Sequence, residues 1–100
     1  MPWLICYDIE KDALRTKIAT KLLEAGLERL QWSVFAGELD NPRLAKLRLW
    51  LTTEIARYPP AENSVIILNL PPSDLRGMTV IGEPRFNYDE LINPPNTLFF

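Results

Sequence analysis

Apolar and polar positions along the chain change rhythm several times, and each change predicts an element. Residues 3–7 form an unbroken apolar run with Trp, Ile and Tyr, too short for a helix, ending at Asp8. That is the pattern of a strand with both faces covered. From 11 to 25 the rhythm becomes helical: Leu14, Ile18, Leu22 and Ala25 recur at spacings of four, four and three. Asp12 is placed as an N-terminal cap or a first-turn acid, and Gly26 as the residue closing the far end. Residues 27–39 return to strand character, with Arg29, Gln31 and Ser33 alternating among β-branched and aromatic neighbours. One bent strand or two short ones fit equally, and Gly37 predicts a bulge or bend.

Asp40-Asn41-Pro42 is a helix start, a capping side chain followed by proline in the first turn. The helix runs to about Arg57 on an inner stripe of Leu44, Leu47, Leu51 and Ile55, and Tyr58-Pro59-Pro60 stops it. Residues 64–70 form a second apolar strand, ended by Pro71-Pro72, and residues 78–81 read as a short further strand. The order is that of an α+β, ferredoxin-like βαββαβ sandwich: one antiparallel sheet with two helices on one face. Residues 1–82 make that domain. Residues 83–100 read as an extended arm ending in Leu98-Phe99-Phe100, which packs on a partner protomer. Two helices cover one side of a sheet whose strands are apolar on both, so a homodimer stacked through the bare faces is expected.

Composition narrows the chemistry. One hundred residues, 47% of them hydrophobic, make a single domain with a thin core. The opening apolar run is too short for a signal peptide or a membrane span. The lone Cys6 reads as strand packing, and a domain without disulfides suits the cytoplasm. The formal charge is −2, but unevenly spread: residues 11–57 carry nine basic and six acidic side chains, and residues 58–100 two basic and five acidic. A basic middle permits a local phosphate-binding face without demanding one.

There is no histidine. That excludes two-histidine RNA cleavage and any Ser-His-Asp triad. No glycine-rich phosphate loop or zinc spacing is present. Asp8, Glu10 and Asp12 have the alternate spacing that opens an EF-hand loop, but Ala13 and Ala19 stand where it needs glycine and glutamate. Hydrolysis through a divalent ion remains open. Asp8 at the strand end is a carboxylate suited to Mg²⁺, with a helix cap as the alternative reading. Arg15, Lys17 and Arg29 are candidate phosphate clamps, against the plainer role of surface charges. Ser33 could bond a phosphate or a neighbouring strand.

The stretches WLICYDIEKDALRTKIATKLLEAG, LERLQWSVFAGEL and NPRLAKLRLWL, with the later VIILNL and MTVIG, together resemble the small CRISPR-associated Cas2 proteins over residues 3–81. Two motifs carry the likeness, apolar-Tyr-Asp-Ile and Arg-x-Gln-aromatic-Ser-Val-Phe-x-Gly. The resemblance implies a ferredoxin-like homodimer working with the Cas1 integrase in spacer acquisition. It also implies a Mg²⁺-dependent endonuclease (Mn²⁺ being an alternative ion) on single-stranded RNA or double-stranded DNA. Carried across, Asp8 is the metal ligand, and Asp8 and the adjacent Tyr7 are the catalytic residues. Arg15 and Arg29 match basic positions, Ser33 and Phe35 match the second motif, and Lys17 stands where arginine is common. Arg43 and Lys46 are further cations for DNA. The family also implies a second function, a non-catalytic adaptor bridging integrase dimers while holding protospacer DNA; a toxin-type ribonuclease of the same small fold is a third.

Overall fold

The computed structural model describes residues 2–92. Four strands, β1 (Pro2–Ile9), β2 (Glu28–Gln31), β3 (Val34–Glu38) and β4 (Asn63–Asn69), form one sheet in the order β2-β3-β1-β4. Every neighbouring pair is antiparallel. Helices α1 (Asp12–Glu24) and α2 (Asn41–Ile55) make the crossovers, and two short helices follow, α3 (Pro72–Arg76) and α4 (Tyr88–Ile92). This is the expected ferredoxin-like order.

Both long helices are bounded by the local chemistry of their ends. At the close of α1, Gly26 takes a φ of +92°, its N–H donates to Leu23 O at 2.9 Å, and Leu27 N–H donates to Leu22 O at 3.2 Å. This pair of bonds is the Schellman arrangement, and the left-handed backbone is why glycine stands there. The start of α2 is capped by Asp40, whose Oδ1 accepts the Arg43 N–H at 2.9 Å. Leu14, Ile18 and Leu22 of α1 and Leu44, Leu47 and Leu51 of α2 are buried against Ile5, Tyr7, Ile9 and Phe35 of the sheet. The stripe on α2 departs from expectation at its end: Glu54 is buried and Ile55 only half-buried.

Residues 27–39 resolve into two strands joined by a turn at Trp32-Ser33. The irregularity lies on β2, between Arg29 and Gln31, not at Gly37. Gly37 answers a different need: a Cβ there would lie 3.0 Å from Leu27 Cδ2 and 3.3 Å from Leu27 Cα. Close passage of the chain after α1 leaves no room for a side chain.

The second face of the sheet differs from expectation. Leu75 of α3 and Leu91 of α4, with Met78 and Phe86, pack on Leu30, Val34, Ala36 and Leu4. The chain therefore covers the β2–β3 half of this face itself. Residues 78–81 are not a strand. Met78 packs on the face while Val80 and Ile81 are exposed; a short, mostly apolar segment reads alike whether it pairs at an edge or lies across a sheet. Residues 88–92, expected to be extended, coil into α4. The predicted tip of the arm, Leu98-Phe99-Phe100, lies outside the described residues. What stays open is the β1–β4 half, where Ile66 and Leu68 are 55% and 52% exposed.

Candidate functional site

Strand alternation decides where the acid goes. Along β1, Ile5, Tyr7 and Ile9 turn to the helices, so Leu4, Cys6 and Asp8 turn to the second face. Asp8 lies within β1, directly across from Ser64 of β4, and is exposed. The expected place beyond the strand end, beside the helix start, is therefore corrected: the ladder runs two pairs further, Asp8 with Ser64 and Ile9 with Asn63. The helix-cap alternative falls as well: the residue at that position of α1 is Lys11, which makes no side-chain cap bond.

Asp8 borders a hollow of about 410 Å³ with Glu10, Glu62, Asn63 and Ser64 among its walls. Asn63 fixes the shape of this hollow. Its Nδ2 donates to Pro59 O at 3.0 Å and its Oδ1 accepts the Glu10 N–H at 3.3 Å. The turn before β4 is thereby held to the end of β1. Among the described residues, no three His, Cys, Asp or Glu side chains converge closely enough to hold a metal ion.

Tyr7 occupies the opposite face from Asp8. Its ring stacks on Phe35 with centroids 6.1 Å apart and planes 26° apart, and its hydroxyl donates a long bond of 3.4 Å to Trp32 O. Tyr7 N–H also donates to Ser33 O at 3.1 Å, so the Ser33 backbone ties the hairpin turn to β1. These contacts make Tyr7 and Ser33 supports for the hairpin.

The predicted cations separate into held and accessible groups. Arg15 closes the turn between β1 and α1: Nη1 donates to Ile9 O and Glu10 O, each at 2.9 Å, and Nη2 pairs with the Asp12 carboxylate. Lys17 bridges the two long helices through Glu54, Nζ to Oε1 at 2.9 Å. The Lys17 hydrogen bond is the main reason the Glu54 carboxyl sits below its ordinary value; burial opposes it, and the charges of Arg57 and Lys17 add to it. Arg29 lies over two rings, 4.9 Å from the Trp32 centroid and 5.0 Å from that of Phe35. Its Nε is buried without a hydrogen-bond partner.

Asp8 and the cations thus do not meet within one protomer. Tyr7, Arg15, Arg29 and Trp32 surround a hollow of about 320 Å³ on the helical side of the sheet. On the outer surface of the helices, Lys21, Arg43, Lys46 and Trp50 line another of about 550 Å³, with the Lys21 ammonium 5.2 Å from the Trp50 centroid. Arg43 there also donates to Ala25 O. Sequence reasoning overlooked Trp32 and Arg85, which meet at 5.0 Å. The signal for Trp32 was its place in the turn, legible only once residues 27–39 are split into two strands. No helix among the described residues is long and apolar enough to cross a membrane.

Known proteins bear on this arrangement. The family profile described as "CRISPR associated protein Cas2" matches residues 1–78. The CRISPR-associated endoribonuclease Cas2 2 of Synechocystis sp. is 34% identical, over 96% of this chain and 95% of that one. A like-named protein of Pyrobaculum aerophilum is 49% identical over a shorter stretch, 43% of this chain and 46% of its own. The structure of Streptococcus pyogenes Cas2 at pH 6.5 superposes with a TM-score of 0.70 at 20% identity, over 82% of this chain and all of that one, a likeness of fold. A hypothetical protein from Thermus thermophilus gives 0.68 at 28% identity, over 85% and 94% of the two chains. The family profile, the relative matched over nearly the full length of both chains and the likeness of fold agree, and the chain belongs to the CRISPR-associated Cas2 family.

Proposed function

We propose that this protein is a metal-dependent endonuclease of spacer acquisition that hydrolyses phosphodiester bonds in single-stranded RNA, double-stranded DNA or both. The observation that carries this reading is the position of Asp8: an exposed carboxylate on the half of the sheet that its own chain leaves bare, beside the exposed Ile66 and Leu68. A second copy of the chain covering that half buries the two apolar side chains and brings a second Asp8 to the same face. The endoribonuclease name of the Synechocystis relative supports the reaction class.

The oxygen donors beside Asp8 are of the type a hard divalent ion takes, but among the described residues of one protomer they do not converge on one point. Ser64, Asn63, Glu10 and Glu62 offer oxygen, the ligand atom that Mg²⁺ and Mn²⁺ prefer. One protomer offers too few carboxylates, so Asp8 from each of two copies is the residue that would hold the ion. A bound ion supplies charge stabilisation at phosphorus and a more acidic water. The chain's own part is separate. Of the three candidate clamps, Arg29 is the one not engaged in holding the β1–α1 turn or the helix pair, and it would take the nucleic-acid backbone on the helical side of the sheet, away from Asp8. Tyr7 positions the hairpin that carries Arg29.

The Cas1 integrase is the proposed partner. A second reading, a dimeric adaptor that binds protospacer DNA without cutting it, is favoured by the Lys21, Arg43 and Lys46 surface, which lies on the helices away from Asp8. Labelled RNA and duplex DNA incubated with Mg²⁺ or Mn²⁺ separate the two. Cleavage that disappears with EDTA and in Asp8→Ala supports the enzyme. Salt-sensitive binding without cleavage supports the adaptor.

A further inference from the structure

Beside Arg29, the tip of the β2–β3 hairpin presents an aromatic side chain that the proposed reaction does not use. Trp32 is 63% exposed there. An exposed aromatic alone needs no explanation, but this one is flanked by two cations: the guanidinium of Arg29 at 4.9 Å from its centroid and that of Arg85 at 5.0 Å. The two differ in freedom. Arg29 is anchored over Phe35 at 5.0 Å, with its Nε buried and unpartnered. Arg85 is exposed, in a stretch between Gly82 and α4 with no regular structure.

We propose that Trp32 is a stacking platform for one unpaired nucleobase, with Arg29 and Arg85 receiving the adjoining phosphates. The ligand class is single-stranded nucleic acid. Stacking of a base on an aromatic ring is stronger than one exposed cation–π contact, so an arriving base displaces Arg85 from the indole. The freed guanidinium then meets the backbone charge that follows the base. A duplex keeps its bases stacked on each other and offers this ring no face, so it gains from the cations only. Asp12, which lines the same hollow as Arg29 and Trp32, is paired with Arg15, and Glu83 shares with Arg85 the hollow on the other side of the hairpin.

This inference rests on the nucleic-acid reading above, but on neither Asp8 nor a metal. It is therefore tested in EDTA, where nothing is cut. Fluorescence anisotropy would follow the full chain binding a short labelled oligouridylate, and an RNA duplex of the same length. Trp32→Ala should lose about tenfold in single-strand affinity and leave duplex affinity unchanged, while Trp32→Phe retains most of it. Arg85→Ala should flatten the salt dependence for the single strand by about 0.7 in log–log slope. Oligouridylate should quench a component of the tryptophan emission that Trp32→Phe lacks. Equal losses on single strand and duplex, or no loss in Trp32→Ala, overturn the platform. So does failure of the wild-type chain to bind oligouridylate. Trp32-dependent binding by a chain that never cleaves with Mg²⁺ sustains the platform and removes only the nuclease reading.

Discussion

The two faces of this one sheet are built from the same kinds of residue and have different fates. On the helical face, Ile5 and Phe35 are fully buried, and Tyr7 and Ile9 nearly so, under two helices of thirteen and fifteen residues. On the second face, helices of five residues each cover the β2–β3 half, while Ile66 and Leu68 stay exposed beside Asp8. The first face is where the molecule gains its stability. The second, with an acid among apolar side chains, is where association and chemistry are proposed. Alternation along β1 is what separates these roles: Tyr7 supports the core and Asp8, one residue later, faces out.

That contrast can be broken by experiment. The largest effect should come from Phe35→Ala, which removes a fully buried ring and should cost about 3–5 kcal/mol of stability in denaturant unfolding. Ile66→Ala should change monomer stability by less than about 0.5 kcal/mol. Similar costs at both positions would erase the distinction between the faces. Next is Asp8→Ala, which should lower cleavage by more than about a hundredfold, since even outer-shell partners of a metal are worth ten- to a hundredfold. Its thermal midpoint should stay at the wild-type value; unchanged cleavage would detach the chemistry from this face.

A smaller effect is expected for Ile66→Lys combined with Leu68→Lys. Self-association measured by sedimentation should weaken by at least about tenfold, because each apolar side chain buried at such a contact contributes about 1.5–3 kcal/mol. A chain that is already monomeric at micromolar concentration would remove the stacked dimer. The mildest prediction concerns the helical side. The Glu54 carboxyl is held below its ordinary value of 4.5, chiefly by the Lys17 hydrogen bond. Its contribution is therefore complete above that value and is lost as pH falls below it through the lower folded value. Glu54→Gln should lower stability modestly in the neutral region and converge on wild type as the pH falls, which flattens the acid side of the profile. An unchanged acid limb would show that this pair does not hold the helices together.

How much of this was legible in the chain depended on the range of the interaction. Gly26, Asp40 and Pro42 mark helix ends because the bonds they make span a few residues. The periods of α1 and β1 are visible for the same reason. The burial of Glu54 in place of Ile55 was not legible, because its partner Lys17 is thirty-seven positions away. Gly37 was misread as a bend since the Leu27 backbone that crowds it belongs to the preceding connection.

Local period and short-range hydrogen bonding were enough to set the order of elements from β1 to β4, their antiparallel arrangement and an acid at the end of the first strand. Only the tertiary structure decided which face Asp8 occupies, that Arg15 and Lys17 are committed to turns and helices, and how much of the second face α3 and α4 conceal. Those outcomes depend on which distant groups fill the space around each side chain, and period alone carries no record of that.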